Sequence, residues 1–225
     1  MQNILTDVYD NLRARYGDLH WWPARTPYEV IVGAILTQNT AWGNVEKAIA
    51  NFYGDALASR FTDGAGGLRP EAVFDAGVAE LADIIRPAGF FNQKAQYLKK
   101  VTAWFALYNY EVSAVQSVPL AKLRPELLSI KGVGQETADS ILLYAFGFPT
   151  FVVDAYTMRL CERYPVNAGN GYAEVKSYFE MNLPPDAALY NNYHALIVIN
   201  GKRHCKKKPA CDGCPLENLC GRRVL

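Results

Sequence analysis

The chain has 225 residues, of which 50% are hydrophobic and 20% are charged, and its formal net charge is +1. This length suits one large or two small domains with a substantial core, and the near-neutral charge excludes a protein that is basic overall. Any nucleic-acid-binding surface must therefore be local. The sequence shows neither a secretion signal nor an apolar run of roughly 20 residues, so we expect a soluble, cytoplasmic protein without membrane contact.

Apolar residues recur at helical spacing along most of the chain, and no strand-like alternation is evident. Residues 26–29 are Thr-Pro-Tyr-Glu, a capping-box pattern with proline at the first helical position. It precedes a helix that carries Tyr28, Ile31 and Ile35. Further helices are predicted around residues 45–52, 81–85, 98–105, 141–145, 175–179 and 189–197. Gly147 is a candidate helix end, and residues 62–67 form a glycine-rich loop.

A tight turn is predicted at Gly132, Val133 and Gly134, between two short helices. Glycine permits positive φ and leaves no side chain to obstruct an approaching backbone. Amide groups at the start of the second helix can then bind a phosphate, helped by the helix dipole, without reading base sequence. An ordinary helical turn explains these three residues equally well.

Asp154 lies between an apolar run, residues 151–153, and the start of another predicted helix. Aspartate is a favoured N-cap residue, which gives it a structural role. A carboxylate at the mouth of a cleft would give it a chemical role. The two roles are compatible, because capping holds the side chain in place.

Four of the five cysteines lie within 16 residues, separated by gaps of five, two and five residues. They are Cys205, Cys211, Cys214 and Cys220. Such clustering favours metal ligation over disulfides. The spacing suits Zn²⁺ and an iron–sulfur cluster alike. Cys161 stands apart and is predicted to be a buried helix cysteine.

Basic residues surround the first of these cysteines. They are Lys202, Arg203, Lys206, Lys207 and Lys208. They form either a solvated basic turn or a local surface that contacts phosphates.

Three of the four tryptophans, Trp21, Trp22 and Trp42, flank the helix predicted after Pro27. Core packing is one role for such side chains. A stacking pocket for a base rotated out of a duplex is the other.

The hairpin followed by Val153 and Asp154 resembles the endonuclease III family of helix–hairpin–helix DNA glycosylases. Residues 34–40 resemble that family's early helix end, and residues 89–95 resemble its DNA-wedge loop. With the cysteines, the similarity covers roughly residues 26–220. Trp-Trp-Pro at 21–23, together with Leu-Thr-Gln-Asn-Thr at 36–40, resembles the 3-methyladenine glycosylase branch.

This resemblance implies an all-α fold of two domains. A six-helix domain with the hairpin would span 24–148, and residues 1–23 and 149–225 would form the cysteine-loop domain, with a cleft between the two. The cysteines would hold a 4Fe-4S cluster, with Zn²⁺ as the alternative, although the first gap is five residues where the family has six. The partner would be double-stranded DNA containing a damaged base, bound by a nucleoid-associated monomer. The residues predicted to contact DNA are Gln38, Phe90, Lys131, Gly132, Val133, Gly134, Lys202, Arg203, Lys206 and Lys207.

The resemblance also implies an activity. Asp154 would stabilise an oxocarbenium-like sugar and orient or deprotonate water. Bifunctional members carry a lysine on the second hairpin helix, where this chain has Glu136, which cannot form an imine. We therefore expect a monofunctional glycosylase in base excision repair. Its substrate would be an alkylated purine such as 3-methyladenine, whose cationic base stacks on aromatic rings.

The predicted base pocket comprises Trp21, Trp22, Trp42 and Glu136. One alternative is an endonuclease III-type glycosylase with AP lyase activity on oxidised pyrimidines or mismatched thymine. The other alternative is a DNA-binding protein without catalysis.

Overall fold

The structure is a computed structural model that describes residues 3–220. Within that range the chain forms helices and turns, and the only extended pairing is an isolated bridge between Thr62 and Leu68. The predicted all-α fold is confirmed. Among the helices of residues 3–220, none is both long enough and apolar enough to cross a bilayer.

The chain divides into two compact units. The terminal unit combines Met1–Trp21 with Pro149–Leu225, and the central unit is Trp22–Phe148. In chain order the helices are α1 Ile4–Tyr16, α2 Pro27–Leu36, α3 Trp42–Phe52, α4 Asp55–Phe61, α5 Pro70–Asp75, α6 Val78–Ile84, α7 Phe91–Ala106, α8 Val112–Gln116, α9 Leu120–Ser129, α10 Gln135–Ser140, α11 Ala155–Arg163, α12 Tyr172–Asn182 and α13 Ala187–Arg203. A 3₁₀ turn, Arg86–Ala88, precedes α7, and a π-helical turn, Ile141–Ala145, continues α10.

Helix α2 begins where the sequence predicts. Thr26 Oγ1 accepts a hydrogen bond from the Glu29 amide at 3.2 Å, and Pro27 occupies the first turn. The Glu29 carboxylate accepts a hydrogen bond from the Tyr53 hydroxyl at 2.8 Å, so it ties α2 to the end of α3. Residues 28–36 are all buried, which makes α2 the central helix of its unit rather than an amphipathic surface helix.

Two local predictions in the central unit are also confirmed. The Gly147 amide donates to Leu143 O at 3.1 Å, with φ of +71°, so glycine ends the π-helical turn. In the loop 62–67, Asp63 Oδ1 accepts hydrogen bonds from the Ala65 and Gly67 amides. This side chain gives a glycine-rich surface loop a defined turn.

The terminal unit pairs the first helix with the last. The Tyr193 hydroxyl donates to Leu5 O at 2.8 Å, and the Tyr16 hydroxyl donates to Asn200 Oδ1 at 3.1 Å. Between α11 and α13, a Cβ added at Gly201 would lie 2.3 Å from the Tyr156 ring. A side chain at position 201 would therefore separate these two helices.

Candidate functional site

Asp154 caps helix α11. Its Oδ1 accepts hydrogen bonds from the Tyr156 amide at 2.9 Å, the Thr157 amide at 2.8 Å and Thr157 Oγ1 at 3.1 Å. The two amides are otherwise unsatisfied donors of the first helical turn. The predicted N-cap is therefore confirmed, and it leaves Oδ2 for other contacts.

That second oxygen faces His194 of α13. Asp154 Oδ2 lies 3.6 Å from His194 Nε2, which is longer than a hydrogen bond but within ion-pair range. The side chains are 13% and 7% exposed, respectively. Burial on its own would raise the pKa of Asp154, but the nearby His194 and the hydrogen bonds from Thr157 outweigh it and lower the pKa. Asp154 is therefore an ionised carboxylate at neutral pH.

His194 is a residue that the sequence analysis missed. It lies on the largely buried stretch Tyr190–Val198 of α13, where a lone histidine in an apolar helix gives no signal of its own. Only the packing of α13 against α11 brings it to Asp154. Histidine beside an aspartate is a recurring polar pair, but its spacing in sequence depends on the fold.

The turn between α9 and α10 has the geometry of a tight hairpin. The Val133 amide donates to Ile130 O at 2.9 Å, and Gly132 has φ of +100°. A Cβ at Gly132 would lie 2.2 Å from the Tyr97 ring, so the space beside this glycine is filled by α7. At Gly134, by contrast, no atom lies within 4 Å of an added Cβ. The open approach expected at both glycines therefore exists at Gly134, while Gly132 serves internal packing.

Gln38 braces this hairpin. Its Nε2 donates to Gly132 O at 2.9 Å and to Thr137 Oγ1 at 3.0 Å. Both amide hydrogens are thus used inside the central unit. Gln38 therefore supports the hairpin from within the central unit, and its predicted DNA contact stays a prediction.

A buried ion pair joins the two hairpin helices. Arg124 of α9 binds Asp139 of α10 through two hydrogen bonds of 2.8 and 3.0 Å. The Asp139 side chain is fully buried, and that of Arg124 is 26% exposed. This bidentate geometry fixes the angle between the helices.

Phe90 lies at the tip of the loop before α7. It is 68% exposed, and its φ of +47° is in the left-handed region, which a bulky side chain rarely adopts. Lys131 and Glu136 are also exposed, before and after the hairpin turn, respectively. Glu136 is in the first turn of α10.

Two of the three predicted pocket tryptophans meet within the central unit. The Trp22 ring contacts Trp42 edge to face, with centroids 5.3 Å apart, and it lies 5.3 Å from Tyr144. Trp22 also covers Gly33 of α2 so closely that an added Cβ would lie 3.1 Å from Nε1. Trp21 belongs to the terminal unit, where the Lys202 ammonium lies 5.8 Å from its ring centroid.

The four clustered cysteines line a single cavity together with Arg163 and Asn200. Arg163 Nη1 donates to Cys205 Sγ at 3.4 Å, and the Cys214 thiol lies 3.8 Å from Asn200 Oδ1. Within residues 3–220, no three histidine, cysteine or acidic side chains converge on a position for one metal ion. Cys161, by contrast, is buried, and burial raises the pKa of its thiol to about 12. It is therefore a cysteine of the helix core, as predicted.

The basic residues next to these cysteines are exposed. Lys202 and Arg203 end α13, and Lys206 and Lys207 follow Cys205. The guanidinium of Arg163 binds the carbonyl oxygens of both lysines, Lys206 at 2.7 Å and Lys207 at 3.1 Å. The side chains of Lys206 and Lys207 therefore extend from a backbone whose carbonyl groups are held by Arg163.

Known proteins resemble this chain in sequence and in fold. A Methanocaldococcus jannaschii protein assigned to the DNA repair glycosylases is 48% identical over 221 residues, 96% of each chain. The H. pylori 3-methyladenine DNA glycosylase bound to 1,N6-ethenoadenine aligns with a TM-score of 0.73 and 25% identity, covering 88% of this chain and 97% of that one. A non-covalent endonuclease III–DNA complex aligns with a TM-score of 0.77 and 25% identity, covering 97% and 94%.

The family model that matches this sequence is the HhH-GPD superfamily base excision DNA repair protein, over residues 32–185. That span contains the hairpin, the Phe90 loop and Asp154. The chain therefore belongs to the HhH-GPD superfamily and is a DNA glycosylase of base excision repair.

Proposed function

We propose that this glycosylase is monofunctional and hydrolyses the N-glycosidic bond of alkylated purines, such as 3-methyladenine, in double-stranded DNA. The observation that carries the proposal is Asp154, an ionised and nearly buried carboxylate whose orientation is fixed by the start of α11. A fixed negative charge offsets the positive charge that develops on the sugar as the base leaves. The same carboxylate orients or deprotonates the attacking water.

The absence of lyase activity is proposed from Glu136. An AP lyase of this family uses an amine to form an imine with the sugar, and a carboxylate cannot do so. Lys131 lies on the other side of the turn, after the end of α9. Water is then the nucleophile, and the product is an intact strand with an abasic site.

The substrate class is proposed from the aromatic rings near the start of α2. The perpendicular contact between Trp22 and Trp42 leaves no gap between them, so a base would stack on an outer ring face. Electron-poor alkylated purines gain most from such stacking and are good leaving groups, because they carry a positive charge. The H. pylori relative with 1,N6-ethenoadenine, also a modified purine, supports the same class.

Each of the two units carries its own proposed DNA surface. In the central unit it comprises Phe90, Lys131 and the open side of Gly134. In the terminal unit it comprises the exposed side chains of Lys202, Arg203, Lys206 and Lys207. Exposed amides and cations suit phosphates, and an exposed aromatic side chain suits a gap in the base stack.

We propose that the four cysteines hold a 4Fe-4S cluster. The residues fit such a group, because four thiols line one cavity beside the positive charge of Arg163. Zn²⁺, which binds four thiolates at about 2.3 Å, is the alternative occupant. The cluster would supply metal–thiolate bonds that stabilise the loop.

The test is base release from matched duplexes that contain 3-methyladenine, 1,N6-ethenoadenine, thymine glycol or a thymine–guanine mismatch. We expect release of the alkylated purines and no borohydride-trapped adduct with any duplex. Asp154→Asn keeps the capping oxygen and removes the charge, so it should abolish release while DNA binding persists. Efficient release of thymine glycol with a trapped adduct would instead establish the endonuclease III-type activity, which the similarity to the endonuclease III–DNA complex makes the second candidate.

A further inference from the structure

Lys94 of α7 is a buried cation whose three hydrogen-bond partners are all neutral. Its side chain is almost fully enclosed, and the residue is 2% exposed. The ammonium donates to Leu36 O at 2.8 Å, Ala88 O at 2.9 Å and Thr40 Oγ1 at 2.6 Å, which uses all three of its hydrogens. Burial lowers its pKa to about 8, so at pH 7 the three-donor ammonium form still predominates.

Burial of this lysine opposes core stability, and its three hydrogen bonds offset that cost. Removing an ammonium from water without a counter-charge is costly, and an apolar side chain of similar length would fill the same space. What an apolar side chain could not do is bind three oxygen acceptors from separate segments. The value of Lys94 therefore lies in which segments it connects.

The partners of Lys94 belong to two turns. Leu36 O and Thr40 lie at the end of α2 and in the turn that follows it, while Ala88 O lies in the loop that leads to Phe90. Thr40 Oγ1 also donates to Ala88 O at 2.6 Å, which closes the link between the turns. The Lys94 amide donates to Phe90 O at 2.9 Å, so this residue also supports the exposed phenylalanine directly.

The conformation of Phe90 needs such support. A left-handed aromatic residue is strained, and it persists only where its surroundings impose it. The turn after α2 is in turn anchored to the hairpin, because Gln38 binds Gly132 O and Thr137 Oγ1. One continuous hydrogen-bond network therefore runs from the Phe90 loop through Lys94 to the hairpin.

We propose that Lys94 is a positioning residue for DNA engagement, which holds the exposed Phe90 in a fixed place relative to the hairpin so that both meet the duplex together. The inference rests on the proposed contacts of Phe90 and the hairpin with DNA. Lys94 itself touches neither DNA nor the reacting atoms. Lys94 instead assists the opening of the base stack, a step that precedes the hydrolysis at Asp154.

The experiment compares Lys94→Met with Lys99→Met under single-turnover conditions. Lys99 is a matched control, because it lies on the same helix and also donates to backbone carbonyls, those of Phe74 and Ala76, outside the network. Each variant is assayed on an alkylated purine that is paired in a duplex and on the same lesion in an unpaired loop. A fluorescent 2-aminopurine next to the lesion reports unstacking.

We expect Lys94→Met to lower release from the paired lesion by about tenfold or more, with a matching loss of the unstacking signal and a much smaller loss on the looped lesion. Lys99→Met should stay within about twofold of wild type on both substrates. Equal losses of Lys94→Met on paired and looped lesions, or no loss on either, would overturn the inference.

If Lys94→Met does not fold, Thr40→Val decides, because it removes the hydroxyl between Lys94 and Ala88 and leaves the ammonium two acceptors. It should show the same preference for the looped lesion, and an absence of that preference counts against the inference.

Phe90→Ala separates the proposed DNA contact from the proposed role of Lys94. If Phe90→Ala lowers paired-lesion release but the Lys94 and Thr40 variants do not, the inference alone fails; if Phe90→Ala has no effect, the proposed DNA contact fails with it.

Discussion

Asp154 and His194 meet through a single carboxylate oxygen: Oδ2 lies 3.6 Å from His194 Nε2, while the start of α11 binds Oδ1. The two oxygens therefore have different tasks. One fixes the orientation of the carboxylate, and the other lies beside the His194 ring. In the proposed reaction, an aspartate held in this way would need no reorganisation when positive charge develops near Oδ2.

The lowered pKa of Asp154 predicts how stability depends on pH. Because the folded-state pKa lies below that of the unfolded chain, ionised Asp154 stabilises the fold above the unfolded-state pKa of about 3.9. This stabilisation is lost as the pH falls through the lowered value. We therefore expect the difference in unfolding free energy between wild type and Asp154→Asn to be largest near neutral pH and to shrink as the pH falls below the unfolded-state pKa. Urea denaturation across this range measures it, and a difference that grows in acid would contradict the assigned direction.

The ion pair between Arg124 and Asp139 predicts a large effect on stability. Removing the buried partner by Asp139→Ala leaves a partly buried guanidinium without its carboxylate, which should cost about 3–5 kcal/mol. The exposed pair of Arg86 and Asp83 is the control, and Asp83→Ala should cost about 1 kcal/mol or less. Equal costs for the two substitutions, measured by denaturant unfolding, would show that the buried pair does not clamp the hairpin.

The cysteine cavity predicts the metal content of the purified protein. We expect iron and acid-labile sulfide in wild type, and their loss in Cys211→Ser together with lower thermal stability, because the metal bonds contribute folding energy. Cys161→Ala should retain the iron, since this thiol lies in the helix core and its pKa is raised to about 12. Stoichiometric zinc without iron in anaerobically prepared protein would replace the cluster with the zinc alternative.

The aromatic contacts predict where substrate affinity is lost. Trp42→Ala should lower kcat/KM for alkylated DNA by roughly 10–100-fold, the equivalent of one lost base stack of ~1–3 kcal/mol, and should change affinity for abasic DNA much less. Trp22→Ala should act similarly but also destabilise the protein, because Trp22 covers Gly33. Trp104→Phe, in the packed core beside Phe146, is the control for general disturbance. An equal loss of abasic-DNA binding in Trp42→Ala would argue against stacking.

Interactions between neighbours in sequence are the part of this molecule that can be predicted from sequence. The helix starts at Thr26 and Asp154 are examples, because an N-cap binds amides only two or three positions away. The short helices α4, α5 and α8 have seven, six and five residues, respectively, too few for a repeating apolar pattern. Their existence is decided by packing.

The residues that sequence analysis missed depend on distant partners. Lys94 and Leu36 are 58 positions apart, and nothing near either of them in sequence indicates that they bind each other. His194 is hidden in the same way, because its role depends on α13 packing against α11. At Gly132 the sequence correctly predicts a turn that needs glycine. It cannot show that the ring of Tyr97 fills the space where a side chain at position 132 would begin.

The composition of the terminal unit from two distant stretches of chain has a consequence for synthesis. Helix α1 leaves the ribosome early, yet Tyr193 and Asn200, which bind Leu5 and Tyr16, are translated only after the whole of the central unit. Since domains fold as units during translation, residues 22–148 can fold before the residues of α13 that contact α1 have been synthesised. Cys205 to Cys220 emerge later than either helix of that pairing. Cofactor insertion at these cysteines would therefore come after the hairpin and its bracing network have formed.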